Sequence, residues 1–144
     1  MDSVLLLAQC FVAAALAGLC WTVQLAVYAL FAPLLVSIGA DAFRAHHAAY
    51  TRAMGWIAAP LMIAELGLAV AWLLVATDAA LARTGLALVG AIWVLTFVVI
   101  VPAHARIQSS PTETAARRLV RLNLLRTALW TARAALLAYA ALCV

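Results

Sequence analysis

From Val4 to Ala32 the sequence carries no charged side chain, and Trp56 to Ala76 and Thr84 to Val101 are almost as apolar. Runs of this length match the hydrocarbon thickness of a bilayer, where a helix satisfies all of its own backbone hydrogen bonds. A fourth stretch begins as a basic amphipathic segment at Ala115 and is largely apolar to the C-terminus. The pattern predicts an all-α fold, a four-transmembrane-helix bundle with spans at about 4–32, 56–76, 84–101 and 120–143. Of the 144 residues, 69% are hydrophobic and 10% are charged, against about 25% charged in a soluble domain. No hydrophilic segment is long enough for a second domain, so residues 1–144 read as one membrane domain.

The first span exceeds the bilayer core at roughly 1.5 Å per residue, which calls for tilt or extension into the headgroups. It is expected to stop near Pro33. In residues 41–54, Phe43, His46, His47, Tyr50 and Met54 alternate with Arg44, Thr51 and Arg52. This predicts a short interfacial helix or re-entrant turn between spans one and two, with Asp41 as its N-cap. The turn at Thr77 and Asp78 closes span two and Pro102 closes span three, while Ser110 or Thr112 caps the last helix.

All nine basic residues are arginine. Arg44, Arg52, Arg106, Arg117, Arg118 and Arg121 fall on the first and third connections, against Arg83 alone on the second. The positive-inside rule places those connections in the cytoplasm and both termini outside. The arginines abut membrane segments without a recognition motif, which argues against a nucleic-acid partner. Membrane lipid is the expected surrounding, with a homo-oligomer left open. Cys10, Cys20 and Cys143 lack CxxC spacing; they read as apolar packing residues, or Cys10 and Cys143 as a disulfide across one membrane face. The N-terminus lacks the basic region of a signal peptide and is expected to stay as an anchor.

Glu65 is the only acidic side chain within the hydrophobic body. An ionised carboxylate at bilayer depth costs at least about a few kcal/mol, so it needs a partner, a proton or a polar cavity. Each other span offers candidates. Gln24 and Tyr28 share one helix face; Trp93, Thr96, Ile100 and His104 form a second stripe; Asn123, Arg126, Trp130 and Arg133 form a third. The expected topology brings these groups toward the cytoplasmic leaflet, predicting one buried polar site there.

Two readings of that site compete. In the first, Glu65, His104 and one of His46 or His47 hold iron, copper, manganese or zinc, as bundles do with ligands from separate helices. No HxxxH or ExxH pair lies within a span, so tertiary packing would have to assemble the set. Haem would require His47 and His104 to face each other. In the second, Glu65 and Arg126 form a buried ion pair, with Gln24, Tyr28 and Asn123 satisfying the remaining hydrogen bonds. Trp56 and Trp72 mark the ends of span two as interfacial anchors. Trp93 and Trp130 either pack or line a pocket, and Gly67 with Ala71 and Gly85 with Gly90 allow close helix contact.

Three regions together carry a family resemblance: Trp21-Thr-Val-Gln-Leu-Ala-Val-Tyr28; His47 through Glu65 with Pro60-Leu-Met-Ile-Ala-Glu65; and Pro102-Ala-His104 with Asn123-Leu-Leu-Arg-Thr-Ala-Leu-Trp130-Thr-Ala-Arg133. Nearly the whole chain resembles a group of small four-span bacterial membrane proteins, mostly of unassigned function. More loosely it is similar to the anthrone oxygenase-like membrane proteins, which share a late Asn-x-x-Arg. The resemblance implies a bacterial inner-membrane protein with Gln24, Tyr28, His47, Glu65, His104, Asn123 and Arg126 as the shared set. Tyr50 stands where the group often has a second histidine. By analogy it implies an oxygenase-like oxidoreductase acting on a hydrophobic small molecule from the bilayer. Glu65, His104 and His47 would hold a metal or move protons, and Arg126 with Asn123 would orient an anionic oxygen. Tyr28 would support them, with Gln24 and Trp130 against the bound cofactor. The alternatives are a non-catalytic membrane subunit locked by Glu65 and Arg126, and a small proton-coupled transporter.

Overall fold

Alanine and leucine, both strong helix formers, are the two commonest residues, and helix accounts for nearly all of residues 2–143, the part described by the computed structural model. Helix α1, Asp2–Thr22, passes without a loop through a π-helical turn, Val23–Val27, and a 3-10 turn, Tyr28–Leu30, into α2, Phe31–Val75. Helix α3, Ala79–Val94, continues through a second π-helical turn, Leu95–Ile100, into α4, Val101–Ser109; α5 is Glu113–Cys143. No strand occurs among the described residues.

The chain reverses inside α2, at Gly39. Its φ of 79° and ψ of 168° lie in a region that is essentially glycine-only. The Phe31 ring centroid is 5.7 Å from Phe43 and 5.5 Å from Tyr50, whereas a straight helix would separate these residues by roughly 18 and 28 Å. Gly39 thus divides α2 into a short arm and a long arm that runs unbroken to Val75. The long arm packs against α1 and α3, and α5 packs against α1, α2, α3 and α4. The Gly39 hairpin lies at one end with the connection after Ser109. Ser3, Leu6, Trp72, Asp78 and Ala141 converge at the other.

Two caps match their chemistry. The Asp78 carboxylate accepts the Ala80 and Leu81 backbone N–H groups, both at 3.0 Å, and the Thr112 hydroxyl accepts that of Ala115 at 3.2 Å. Other expected boundaries differ. Residues 41–54 are not a separate interfacial helix; they are the first turns of the long arm, because nothing between Asp41 and Val75 ends a helix. Asp41 bonds Arg44 instead of capping. Pro33 and Pro102 sit in the first turns of α2 and α4, where a missing N–H is harmless. The long arm therefore begins about 22 Å earlier along its axis than a start at Trp56 would give.

Large apolar side chains are exposed on the helices, and several polar ones are buried between them. Val4, Phe11, Trp56, Ile63, Leu74 and Leu142 are exposed, while Gln9, Gln24, His47, Glu65, Asn123 and Arg133 are buried. Two helical tracts, Ser3–Val75 and Ala79–Ser109, contain stretches long and apolar enough to cross a membrane. The hairpin gives a direct test. Gly39→Ala is expected to cost about 1–3 kcal/mol, read as a lowered unfolding midpoint in detergent. Gly67→Ala should be neutral or mildly stabilising, since an added Cβ there meets nothing within 4 Å.

Candidate functional site

The deepest polar layer is built on Arg133 of α5, which is completely buried. Its Nε donates to Glu65 Oε1 at 2.8 Å and its Nη2 donates to Gln9 Oε1. The guanidinium carbon lies 5.9 Å from the centroid of the Trp72 ring, within cation–π range. Helix α3 contributes an absence: a Cβ at Gly85 would stand 2.2 Å from Arg133 Nη1. Every long helix thus meets at one cation. The ion partner of Glu65 is Arg133 and not Arg126, as expected from sequence. The earlier start of the long arm carries Glu65 past Arg126, to the level of Arg133 about 10 Å further along α5.

A second layer joins α1 to α5. Asn123 Nδ2 donates to Gln24 Oε1 at 2.8 Å, and Gln24 Nε2 donates to the Val120 carbonyl at 3.2 Å. The two amides bond each other and the Val120 carbonyl, Asn123 Oδ1 is buried without a partner, and neither residue lines the cavity that holds Tyr28 and Trp130. Asn123 and Gln24, expected from the sequence to orient substrate and to contact a cofactor, are here bonded to each other.

The third layer, toward the Gly39 end, is a hydrogen-bonded chain. Gln108 Nε2 donates to the Arg44 carbonyl at 3.3 Å, which fixes the amide and turns Oε1 toward His47 Nδ1, 2.7 Å away. An amide oxygen only accepts, so His47 Nδ1 carries the proton. In neutral His47, Nε2 then accepts from His104 Nδ1 at 3.0 Å, leaving His104 Nε2 to accept from the Tyr28 hydroxyl at 2.7 Å. Every proton in the series points one way, from Tyr28 through His104 and His47 to Gln108. His47 is buried whereas His46 is exposed, which settles which histidine faces inward.

Tyr28 and His104 border a cavity of about 370 Å³ lined by residues from all the long helices. Both π-helical turns form its wall. In each, an N–H reaches the carbonyl five residues back, Tyr28 to Val23 and Val101 to Thr96. Such widened turns displace the side chains that follow and are frequent at functional sites. Most of the lining is apolar, including Trp130, and Arg126 is its one charged member. No carboxylate pairs with Arg126 among the described residues. Arg126 Nε, Trp93 Nε1 and Thr96 Oγ1, all on lining residues, are buried without a hydrogen bond. The first two can only donate. Leaving a buried donor unmatched costs about 1–3 kcal/mol, so an acceptor entering the cavity would meet two donors without partners.

Of the residues singled out in the sequence, Tyr28, His104, Arg126 and Trp130 meet at this cavity, and His47 stands behind them. Glu65 does not join them. It lies eighteen residues beyond His47 on one unbroken helix, roughly 27 Å along the axis, and cannot complete a metal site with His47 and His104. No group of three or more His, Cys, Asp or Glu side chains converges among the described residues. The three cysteines are free, so the Cys10–Cys143 disulfide does not form. Gln9 and Gln108 were not read from the sequence, and Gly85 was read only as a small residue for helix contact. Gln108 had a legible signal in its one-turn spacing from His104, and Gln9 in being the lone amide of its apolar turns. No protein family, curated protein or solved structure matches the chain.

The ion pair separates structure from chemistry. Arg133→Met alone should destabilise the bundle by about 3–5 kcal/mol by stranding a buried carboxylate, and Glu65→Met with Arg133→Met should recover much of that loss. Unfolding midpoints of the single and double variants in detergent provide the measurement.

Proposed function

We propose that this chain is a membrane-embedded acid–base enzyme that binds a lipophilic molecule through an ionisable oxygen and removes its proton. The observation that carries the reading is an unpaired guanidinium, Arg126, in the same apolar cavity as the end of a one-way chain of proton carriers. Four membrane crossings, α1, the long arm of α2, α3 with α4, and α5, fit the apolar exterior and polar interior. The arginine-rich end would face the cytoplasm.

Tyr28 donates its own proton to His104, so its oxygen retains lone pairs for a proton arriving from the ligand. As the ligand's O–H proton passes to Tyr28 oxygen, the Tyr28 proton moves to His104 Nε2 and the His104 Nδ1 proton moves to His47 Nε2. The ligand oxygen becomes an anion beside Arg126, and the positive charge settles on His47, two rings away and against Gln108 Oε1. Arg126 thereby stabilises the charge that develops, and the relay keeps the released proton from returning at once. The oxygenase-like activity implied by the resemblance is compatible with this step, because deprotonation gives the electron-rich anion on which dioxygen acts.

The test uses 4-nonyl-2-nitrophenol, whose phenolate has its own absorption band, with the protein in vesicles at a pH where the free probe stays neutral. The wild type should bind the probe as phenolate. Arg126→Gln should weaken binding by about 10- to 100-fold, the worth of a charged hydrogen bond. His104→Leu should bind the probe with the phenolate band lost. A probe bound neutral by the wild type, or ionised equally by both variants, would overturn the proposal.

A further inference from the structure

The cavity opens sideways. Gly55, Ala59, Ile63, Phe97 and Val101 border it and are also exposed on the outer surface of the bundle. The mouth therefore lies between the long arm of α2 and the π-helical turn that leads into α4. Its rim is wholly apolar, and none of the arginines at the hairpin end, Arg44, Arg52 or Arg106, touches the cavity. On the α2 side the rim is cut from small residues, Gly55, Ala58 and Ala59, and a Cβ at Gly55 would meet nothing within 4 Å. Gly55 has helical geometry and no neighbour that demands its smallness, so what it leaves there is space.

Inside stands an unsatisfied polar group. Thr96 is 7% exposed and its hydroxyl has no partner, and it lines the same cavity as Arg126, whose Nε is also unpartnered. Outside, the Trp56 indole adjoins Gly55 and is 79% exposed. An indole standing free on an apolar belt is the usual mark of the headgroup boundary. That is the depth at which a single-chain amphiphile carries its polar end.

We propose that the cavity takes its ligand laterally from the bilayer, through the gap between Gly55–Ala59 and Phe97–Val101, and that the ligand is a weakly acidic amphiphile with one acidic oxygen on an apolar body. This rests on the reading of the cavity as the ligand site. The molecule slides in neutral, oxygen first, from the level of Trp56. Its proton leaves along Tyr28, His104 and His47, and its anionic oxygen stays with Arg126 while the apolar body fills the space toward Met62 and Trp130.

The experiment follows association and release of 4-nonyl-2-nitrophenol by stopped flow, with wild type and variants in preformed vesicles. Gly55→Leu adds bulk at the mouth from a Cβ that meets nothing within 4 Å. It should slow association and release alike by about tenfold, the kinetic mark of an obstructed gate, with little change in affinity. Gly18→Leu adds the same side chain at an exposed glycine away from the cavity and should leave both rates unchanged. Wild-type rates in Gly55→Leu, with the probe bound and ionised, would overturn the lateral route while leaving the acid–base reading standing. Equal slowing in both variants would overturn the route as well. Failure of the wild type to bind the probe would overturn both proposals together.

Discussion

A guanidinium buried in an apolar bundle must be neutralised, and the way Arg133 is neutralised fixes the register of every long helix. Glu65 comes from α2, Gln9 from α1, and the space from Gly85 on α3. A slip of one turn in α2 or α5 would strand a charge at a cost of several kcal/mol, and a slip in α1 or α3 would remove the Gln9 hydrogen bond or the space at Gly85. The pair acts as a selector among packings that alanine and leucine would accept almost equally. The register it selects has a consequence two turns away. Arg126 precedes Arg133 by seven residues and so projects on nearly the same face of α5. Locking Arg133 onto Glu65 carries Arg126 into the cavity, where no carboxylate awaits it.

The two arginines therefore differ in how their charges are met. Arg133 is fully buried with its charge matched; Arg126 is held at the wall of a cavity with its charge unmatched. The same contrast separates the amides. Gln24 and Asn123 close on each other, whereas Gln108 is anchored by the Arg44 carbonyl so that its oxygen must accept from His47. That anchor sets the tautomer of His47, which sets that of His104, which sets the direction of the Tyr28 hydroxyl. A single backbone carbonyl on α2 thus orients a proton path that spans three helical segments.

The helical class, the apolar spans and most of the cavity's polar residues were legible, because periodicity and composition act locally. Tyr28, His104, Arg126 and Trp130 stand out as polar or aromatic interruptions in apolar helix, and their convergence followed from topology. The partner of Glu65 was not legible, since it depends on where the long arm of α2 begins. Proline at Pro33 and the polar run 41–54 suggested a late start. The true break is a glycine whose positive φ leaves no trace in composition. The π-helical turns were equally silent. Val23–Val27 and Leu95–Ile100 read as ordinary apolar helix, and only their packing around the cavity separates them from their neighbours. Gly85 was visible as a small residue, but the guanidinium it admits lies forty-eight positions away.

Charge balance ties the site to its surroundings. Bringing an anion through hydrocarbon to meet Arg126 would demand desolvation of the anion before any partner was in reach. In the reaction we propose, a neutral acid avoids that cost, because it would ionise only inside, with the anion next to the guanidinium and the proton leaving along the imidazoles. The sum of charges on protein and ligand would be the same before and after, with Arg126 gaining a counterion and His47 holding the displaced proton near the polar end of the bundle. On that reading the free guanidinium, the one-way hydrogen bonds and the apolar mouth serve one electrostatic requirement: charge would be separated within the protein and not carried across lipid.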